Sequence, residues 1–398
     1  MSTKLAGTQA GSRRAAGVGR WLAGGALVGV TAGLATLLAR GSGSLPHLLP
    51  GYLLWQEQAY RDVAQFLRWC LGDTTEAQFY KTGLGGLGLL AGAGIAHWAG
   101  KRNRRWAGFP LGSGLWPWLT AAALLGLLLS NLAWGWTLNA TTMWQPTFVA
   151  FVSVPPAVVL TYGRGWRVAV TGAVLGAVLT TPMAVALVDF VCHPLNLPAV
   201  VGNVTAMWAS ALVAFPLCRR LPWLPSPVAP PPSEPAATPS QGPVWVLRRV
   251  LADFTEAPFH GNEIASLGML IGTVLTYVLN PLTPVYGSQL LPALLSAQVL
   301  TATLGVLLYR RQWARYGWYP TFVPVVSVAP AAVLTYGPTL PAILGGAVLG
   351  ALAGPPLAAF ASRHRPAGVH PFVGNVFSMT VCTAAGIPLL GLLPGITS

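Results

Sequence analysis

The sequence predicts an all-α polytopic membrane protein of about eleven transmembrane segments. One N-terminal helix precedes two inverted five-segment repeats with Pro-broken helices. Three observations predict this: a composition too apolar for a soluble fold, a duplicated segment, and a swap of loop charge between the two copies.

The chain has 398 residues, of which 54% are hydrophobic and only 8% charged. Its mean hydropathy is +0.59. A soluble domain carries roughly 25% charged residues, so this chain cannot cover itself with polar surface. The net charge of +14 does not point to nucleic acid. The basic residues stand in short clusters between apolar runs, as topology determinants do. Sixteen tryptophans fit interfacial anchoring. Cys70, Cys192, Cys218 and Cys382 are scattered, and the six histidines show no ligand spacing, so no metal or cofactor is expected. His260, His364 and His370 fall in loops or at segment ends, where solvated imidazoles are expected.

The duplication is direct. Residues 146–163 return as residues 320–337 with 14 of 18 positions identical. The likeness extends outward in the same order. Asp73-Thr-Thr-Glu-Ala-Gln-Phe79 matches Asp253-Phe-Thr-Glu-Ala-Pro-Phe259. Gly172-Ala-Val-Leu-Gly-Ala177 matches Gly346-Ala-Val-Leu-Gly-Ala351. Val201-Gly-Asn-Val204 matches Val373-Gly-Asn-Val376. Ordered matches at near-constant offset mark an internal repeat.

In chain order, residues 1–20 read as a basic cytoplasmic tail and 21–39 as an N-terminal transmembrane helix, a retained signal anchor. Residues 40–78 form an interfacial segment with mixed charge and aromatics. The first repeat, 79–220, holds five segments. Residues 221–258 carry a Pro-rich linker and a second interfacial segment, and 259–398 hold the second five. The linker is too rich in Pro and Ala to pack a core.

Loop charges set the orientation. Lys101, Arg102, Arg104 and Arg105 follow the first segment of repeat 1, whereas the same loop of repeat 2, residues 280–289, is uncharged. The next loop reverses this, with Arg310, Arg311 and Arg315 in repeat 2 only. Arg164 and Arg167, Arg363 and Arg365, and Arg219 and Arg220 continue the alternation. By the positive-inside rule the halves lie in opposite orientations in a cell membrane, with the N-terminus and linker cytoplasmic and the C-terminus outside.

The central segment of each repeat is a poor helix. Pro155-Pro156 interrupts one; Pro324 and Pro330 interrupt the other. Interior proline removes a hydrogen bond and clashes with the preceding turn. The segments are either broken helices around a site or kinked packing helices. Matched Pro-interrupted segments are the sequence pointer to a site in repeat transporters.

Candidate binding residues come in pairs: Thr147, Phe148 and Ser153 with Thr321, Phe322 and Ser327; Asn203 with Asn375; and Asp73, Glu76 and Phe79 with Asp253, Glu256 and Phe259. Three roles compete for the acidic motifs: a helix-capping box, solute or cation binding, and proton coupling. Each asparagine either lines a path or pins a helix contact. The glycines over 83–88 are read as a surface for close helix approach. No catalytic triad, phosphate loop or metal cluster is present, so no enzymatic activity is expected.

Two inverted halves of five spans are shared by urea transporters and ammonium transporters. The order of features here resembles the urea-transporter plan. Phe66-Leu67-Arg68 precedes a polar motif and a Gly-rich span, a Pro-broken segment follows, and the last span opens with Leu197-Pro198 and Asn203. The resemblance is one of pattern over the duplicated region. The family's Gln/Asn-rich motif and its Gly-aromatic-Gly-Asn motif are absent, so it assigns no functional residue. The paired pore histidines of ammonium transporters have no counterpart. The function expected is a transporter or channel for a small polar or neutral solute, with the pathway between the repeats. Membrane lipids and a solute are its partners, and a homo-oligomer is compatible with it. The alternative is a membrane scaffold or an assembly or lipid-processing factor.

Overall fold

The computed structural model describes residues 2–137, 146–228 and 241–396, with side chains from residue 17 onward. Most of the linker, and the loop 138–145, lie outside the described residues. Everything described is helix, turn or loop.

Helix α1 (Ser2–Gly41) merges the expected tail and first span into one rod. Two short helices follow, α2 (Tyr52–Gln58) and α3 (Val63–Asp73), the latter capped where Asp62 accepts the Gln65 amide at 2.9 Å. Next come α4 (Gly83–Lys101) and α5 (Trp116–Trp134). The Pro-rich segment is a 3-10 turn, Pro146–Ala150, then a half-helix, α6 (Val154–Tyr162). The fourth segment is α7 (Trp166–Leu175) and α8 (Thr181–Leu187), each followed by a π turn, and α9 (Ala199–Arg220) closes the half.

The second half repeats the order. A short helix α10 (Pro243–Asp253) leads into α11 (Glu263–Leu279), whose first turn is capped by Asn262. Helices α12 (Leu291–Leu308) and α13 (Arg310–Tyr316) follow. A second 3-10 turn, Val323–Val326, precedes the half-helix α14 (Val328–Tyr336). The half ends in α15 (Leu340–Arg363) and α16 (Phe372–Gly391).

Seven of the described helical stretches are long and apolar enough to cross a membrane. Their outer faces carry exposed Leu, Val and Phe, such as Val178, Phe190, Leu340 and Leu352. The protein is a helical membrane protein. The other segments read from the sequence are shorter or interrupted: α11 has 17 residues, α4 is Gly-rich, and the central segments are broken.

The breaks have the same form in both halves. Backbone helicity fails at Ser153 (φ −133°, ψ −116°) and at Ser327 (φ −145°, ψ −95°). Each serine hydroxyl donates four residues back, to Val149 O at 2.6 Å and Val323 O at 2.7 Å. Each half-helix ends on a glycine with positive φ, Gly163 and Gly337, which removes the Cβ clash of that conformation. These backbone breaks are buried in protein, the condition under which lipid-depth irregularity is tolerated.

The centre of the molecule is the contact between α4 and α11. Gly88 lies against the backbone of Gly268 so closely that neither has room for a Cβ. On one side of that point Gly85 meets Thr273, and on the other Gly92 meets Ile264 and Ala265. Residue numbers run in opposite senses along the contact, so the helices cross antiparallel. Gly88 and Gly268 are also equivalent positions, 180 residues apart, as are Asp73 and Asp253. The glycine patch thus provides backbone-to-backbone packing, the usual source of helix association in lipid.

The loops interlock around this crossing. Asn262 donates to Ala107 O and Phe109 O of the first half at 3.0 and 2.7 Å. Val285 of the second half donates its amide to Tyr80 O at 2.9 Å. Each half therefore seats a loop on the polar turn of the other.

Candidate functional site

A cavity of about 450 Å³ lies between the halves. Its walls are built from equivalent residues: Phe79 faces it with Phe259, Phe148 with Phe322, Asn203 with Asn375, and Met207 with Met379. The half-helix segments supply the second pair, and α9 and α16 supply the third and fourth. Phe79 and Phe259 both have left-handed backbones, φ 69° and 62°. A bulky residue pays roughly 1–2 kcal/mol for that conformation, so the fold holds both rings in place against strain.

The cavity also touches the loops that carry basic residues. Phe109 and Ser113, Trp313 to Trp318 in part, and His370 line it. Its lining includes no described residue of the uncharged loops at 191–195 or 280–289.

The acidic motifs build two related ion-pair clusters. In the first half, Lys81 Nζ pairs with Asp73 Oδ1 and lies 3.0 Å from Glu76 Oε2, all of them fully buried. Asn131 and Thr147 donate to Asp73 Oδ2 at 2.8 and 3.1 Å. The ammonium rests on the Trp69 ring, 3.6 Å from its centroid. Tyr52, Trp55 and Tyr286 are packed beside it and are buried.

In the second half, Arg249 reaches Asp253 Oδ1 at 2.7 Å and Glu256 Oε2 at 2.6 Å. Thr321, the equivalent of Thr147, donates to Asp253 Oδ1 at 3.1 Å. Trp318 Nε1 donates to Glu256 Oε1 at 2.8 Å. The acids and threonines correspond, but the cations do not. Lys81 corresponds to Gly261, and Arg249 corresponds to Trp69. A different element delivers the positive charge to the same two carboxylates. Burial pushes the Asp253 carboxyl up to about 6, against the pull of Arg249.

The capping-box reading does not hold. Asp73 and Asp253 are the last residues of α3 and α10, not the residues before a helix. The apolar faces of 63–71 and 243–251 form helices that run into the motifs and end there. The helix-start role passes to Asn262, which accepts from Ile264 and Ala265 amides. Thr75 and Thr255 instead close the turns, each accepting an amide seven residues ahead, at 3.0 and 3.2 Å.

Of the sequence-derived candidates, Phe79, Phe148, Asn203, Glu256, Phe259, Phe322 and Asn375 line the cavity. Asp73, Glu76, Thr147, Asp253 and Thr321 belong to the ion-pair clusters behind its wall, and Ser153 and Ser327 tie the half-helix breaks. Lys81 and Arg249 were not among the candidates, and both are central. The signal was the mismatch inside an otherwise matched motif. His260 is a second correction. It is 1% exposed and lines the cavity, because the turn after Glu256 folds inward. His370 is half-buried on the same wall, while His364 is exposed as expected. His260 Nδ1 lies 2.6 Å from Pro258 O, which can only accept. The ring proton is therefore on Nδ1, and burial keeps the imidazole neutral by lowering it to about 4.

Several buried polar atoms of cavity-lining residues have no protein partner: both amide atoms of Asn203, Oδ1 of Asn375, Nε2 of His260 and Nε1 of Trp313. Among the described residues no cluster of ligating side chains has the composition of a metal site. No protein-family model matches the chain, and no curated protein matches it significantly.

Proposed function

We propose that the protein is a carrier for a small solute, with its pathway between two inverted repeats of five segments. The observation that carries this reading is the cavity lined by equivalent residues of both halves and touched by loops that carry basic residues. The antiparallel meeting of Gly88 with Gly268 is what a pseudo-two-fold axis in the membrane plane requires. On this reading α4, α11 and the two broken segments complete eleven spans with the seven longer helices. By the positive-inside rule the basic loops favour a cytoplasmic open side on this reading.

The two acidic clusters support a carrier over an open channel. Glu256 keeps 18% of its side chain exposed at the cavity, whereas Glu76 and Lys81 have none. One half-site is accessible and its counterpart is sealed beneath aromatics. Alternating access between two such states is how repeat transporters move solute. Transport requires no chemistry, and the lipid bilayer and solute suffice as partners.

Solute flux into liposomes tests this. Asn203→Leu or Asn375→Leu should reduce flux several-fold while the thermal unfolding midpoint stays close to wild type. Unchanged flux in folded variants would return both residues to helix packing and favour a scaffold.

A further inference from the structure

We infer that the solute is an organic ammonium, a monovalent cation on an apolar body. This rests on the carrier reading and specifies its substrate class.

Charge is the first argument. Among the described residues Arg249 is the only Lys or Arg on the cavity wall, and it is shared between Asp253 and Glu256. The cluster holds two carboxylates against one guanidinium, so an anionic solute would meet an excess of negative charge. Beside the cluster Arg248 is paired with Glu263 at 2.6 Å, and Arg365, near His370, donates to Val369 O and Ser362 O at 2.7 and 2.6 Å. Arg315 and Arg363 at the rim are exposed and screened over about 8–10 Å of electrolyte.

Hydrogen-bonding sense is the second. The unpartnered Asn203 Oδ1, Asn375 Oδ1 and His260 Nε2 are acceptors. Beside them stand donors: the amide N–H groups of Asn203 and Asn375, the unpartnered Trp313 Nε1–H, and the Nε2–H of His370, whose Nδ1 accepts the Phe372 amide at 3.2 Å. These three acceptors offer partners to the N–H groups of an ammonium.

The aromatic lining is the third. Phe79, Phe259, Phe148, Phe322 and Trp318 present ring surface to one cavity, and cations are attracted to ring faces within about 6 Å.

The sealed half-site then acts as an internal template. There an ammonium, that of Lys81, is held by two carboxylates and an indole face. Its equivalent in the open half is Gly261, which lies on the cavity wall against Glu256 Oε2. With no side chain at 261, that carboxylate is approachable from the cavity. The protein thus binds an ammonium of its own in one half and leaves the matching approach open to a ligand in the other. Protonation of Asp253 would remove the excess charge, so binding should weaken as pH falls through about 6.

The test uses the purified full-length protein in lipid nanodiscs, titrated calorimetrically with benzylammonium, benzyl alcohol and benzoate. Benzylammonium should bind tightest and benzoate should not bind. Glu256→Gln should weaken benzylammonium by about thirtyfold or more, the loss expected when one partner of a buried charge pair is removed. Should that variant fold poorly, Asn203→Leu and Gly261→Ala provide the same readout at the acceptor and at the approach. Equal binding of benzoate or benzyl alcohol, or benzylammonium affinity unchanged in all folded variants, would overturn the cation assignment. Uptake into liposomes separates the two claims. If glycerol or urea crosses and benzylammonium does not, the class falls and the carrier stands. If neither these nor benzylammonium crosses, both fall.

Discussion

Removing the Lys81 ammonium tests the energetic logic of the sealed cluster. Lys81→Ala leaves Asp73 and Glu76 fully buried with no cation between them. Asp73 keeps its bonds from Asn131 and Thr147, so it stays partly solvated by protein dipoles. Glu76 loses the ammonium 3.0 Å away. Breaking a buried pair by deleting one partner costs about 3–5 kcal/mol. The lost contact with the Trp69 face adds about 1–2 kcal/mol, part of which is already counted in the pair. A total near 4 kcal/mol, at roughly 1–3 °C per kcal/mol for a chain of this size, lowers the midpoint by about 5–10 °C. The assay is thermal unfolding in detergent at one fixed scan rate, because such midpoints are kinetic. The second half then supplies a rescue. It places Arg249 where the first half has Trp69, and Gly261 where the first half has Lys81. Trp69→Arg combined with Lys81→Gly should recover at least half of the lost midpoint relative to Lys81→Gly alone. A midpoint within about 2 °C of wild type for Lys81→Ala would refute the ion-pair argument. Failure of the rescue would refute the equivalence of the two clusters.

Three further outcomes follow from the same structure. Gly88→Ala and Gly268→Ala should each cost about 1–3 kcal/mol by overpacking, whereas Gly94→Ala, whose Cβ would meet Trp116 at 3.7 Å, should be close to neutral in the same melts. Asp253 has its proton affinity raised on folding, so its stabilising contribution is complete below about pH 4 and lost as pH rises through about 6. Comparing melts at pH 5 and pH 8, Asp253→Asn should flatten this slope by roughly 1–1.5 kcal/mol, the part of the linkage that falls above pH 5. A periplasmic reporter fused after Ser398 should be active and one inserted within 229–240 inactive; the reverse pattern would overturn the orientation.

The helical elements were legible because lipid leaves few options: long apolar runs form helices, and paired prolines break them at Ser153 and Ser327. The acidic motifs were legible as sites but not as structures. Spacing alone could not tell a capping box from a turn at a helix end, since Asp73 with Glu76 satisfies the former pattern. What decided it was the amphipathic run before the motif, which forms α3 and stops there. Lys81 and Arg249 were not legible because residue-by-residue equivalence pairs them with Gly261 and Trp69, the charge lying on another element in each half. His260 escaped because its neighbours read as loop, and only the left-handed turn at Phe259 carries it inward.

The Gly88–Gly268 crossing bears on how such a molecule moves. Two backbones in direct contact cannot slide or bend past each other without clash, so this point is a fulcrum. On the carrier reading, a rearrangement that opens the sealed side would leave α4 and α11 nearly still and swing the half-helices and α9 or α16 about them. Because the fulcrum is shared by both halves, a spacer introduced there would not only destabilise the fold. On the carrier reading it would also uncouple the two sides of the pathway, and the predicted signature is leak rather than silence.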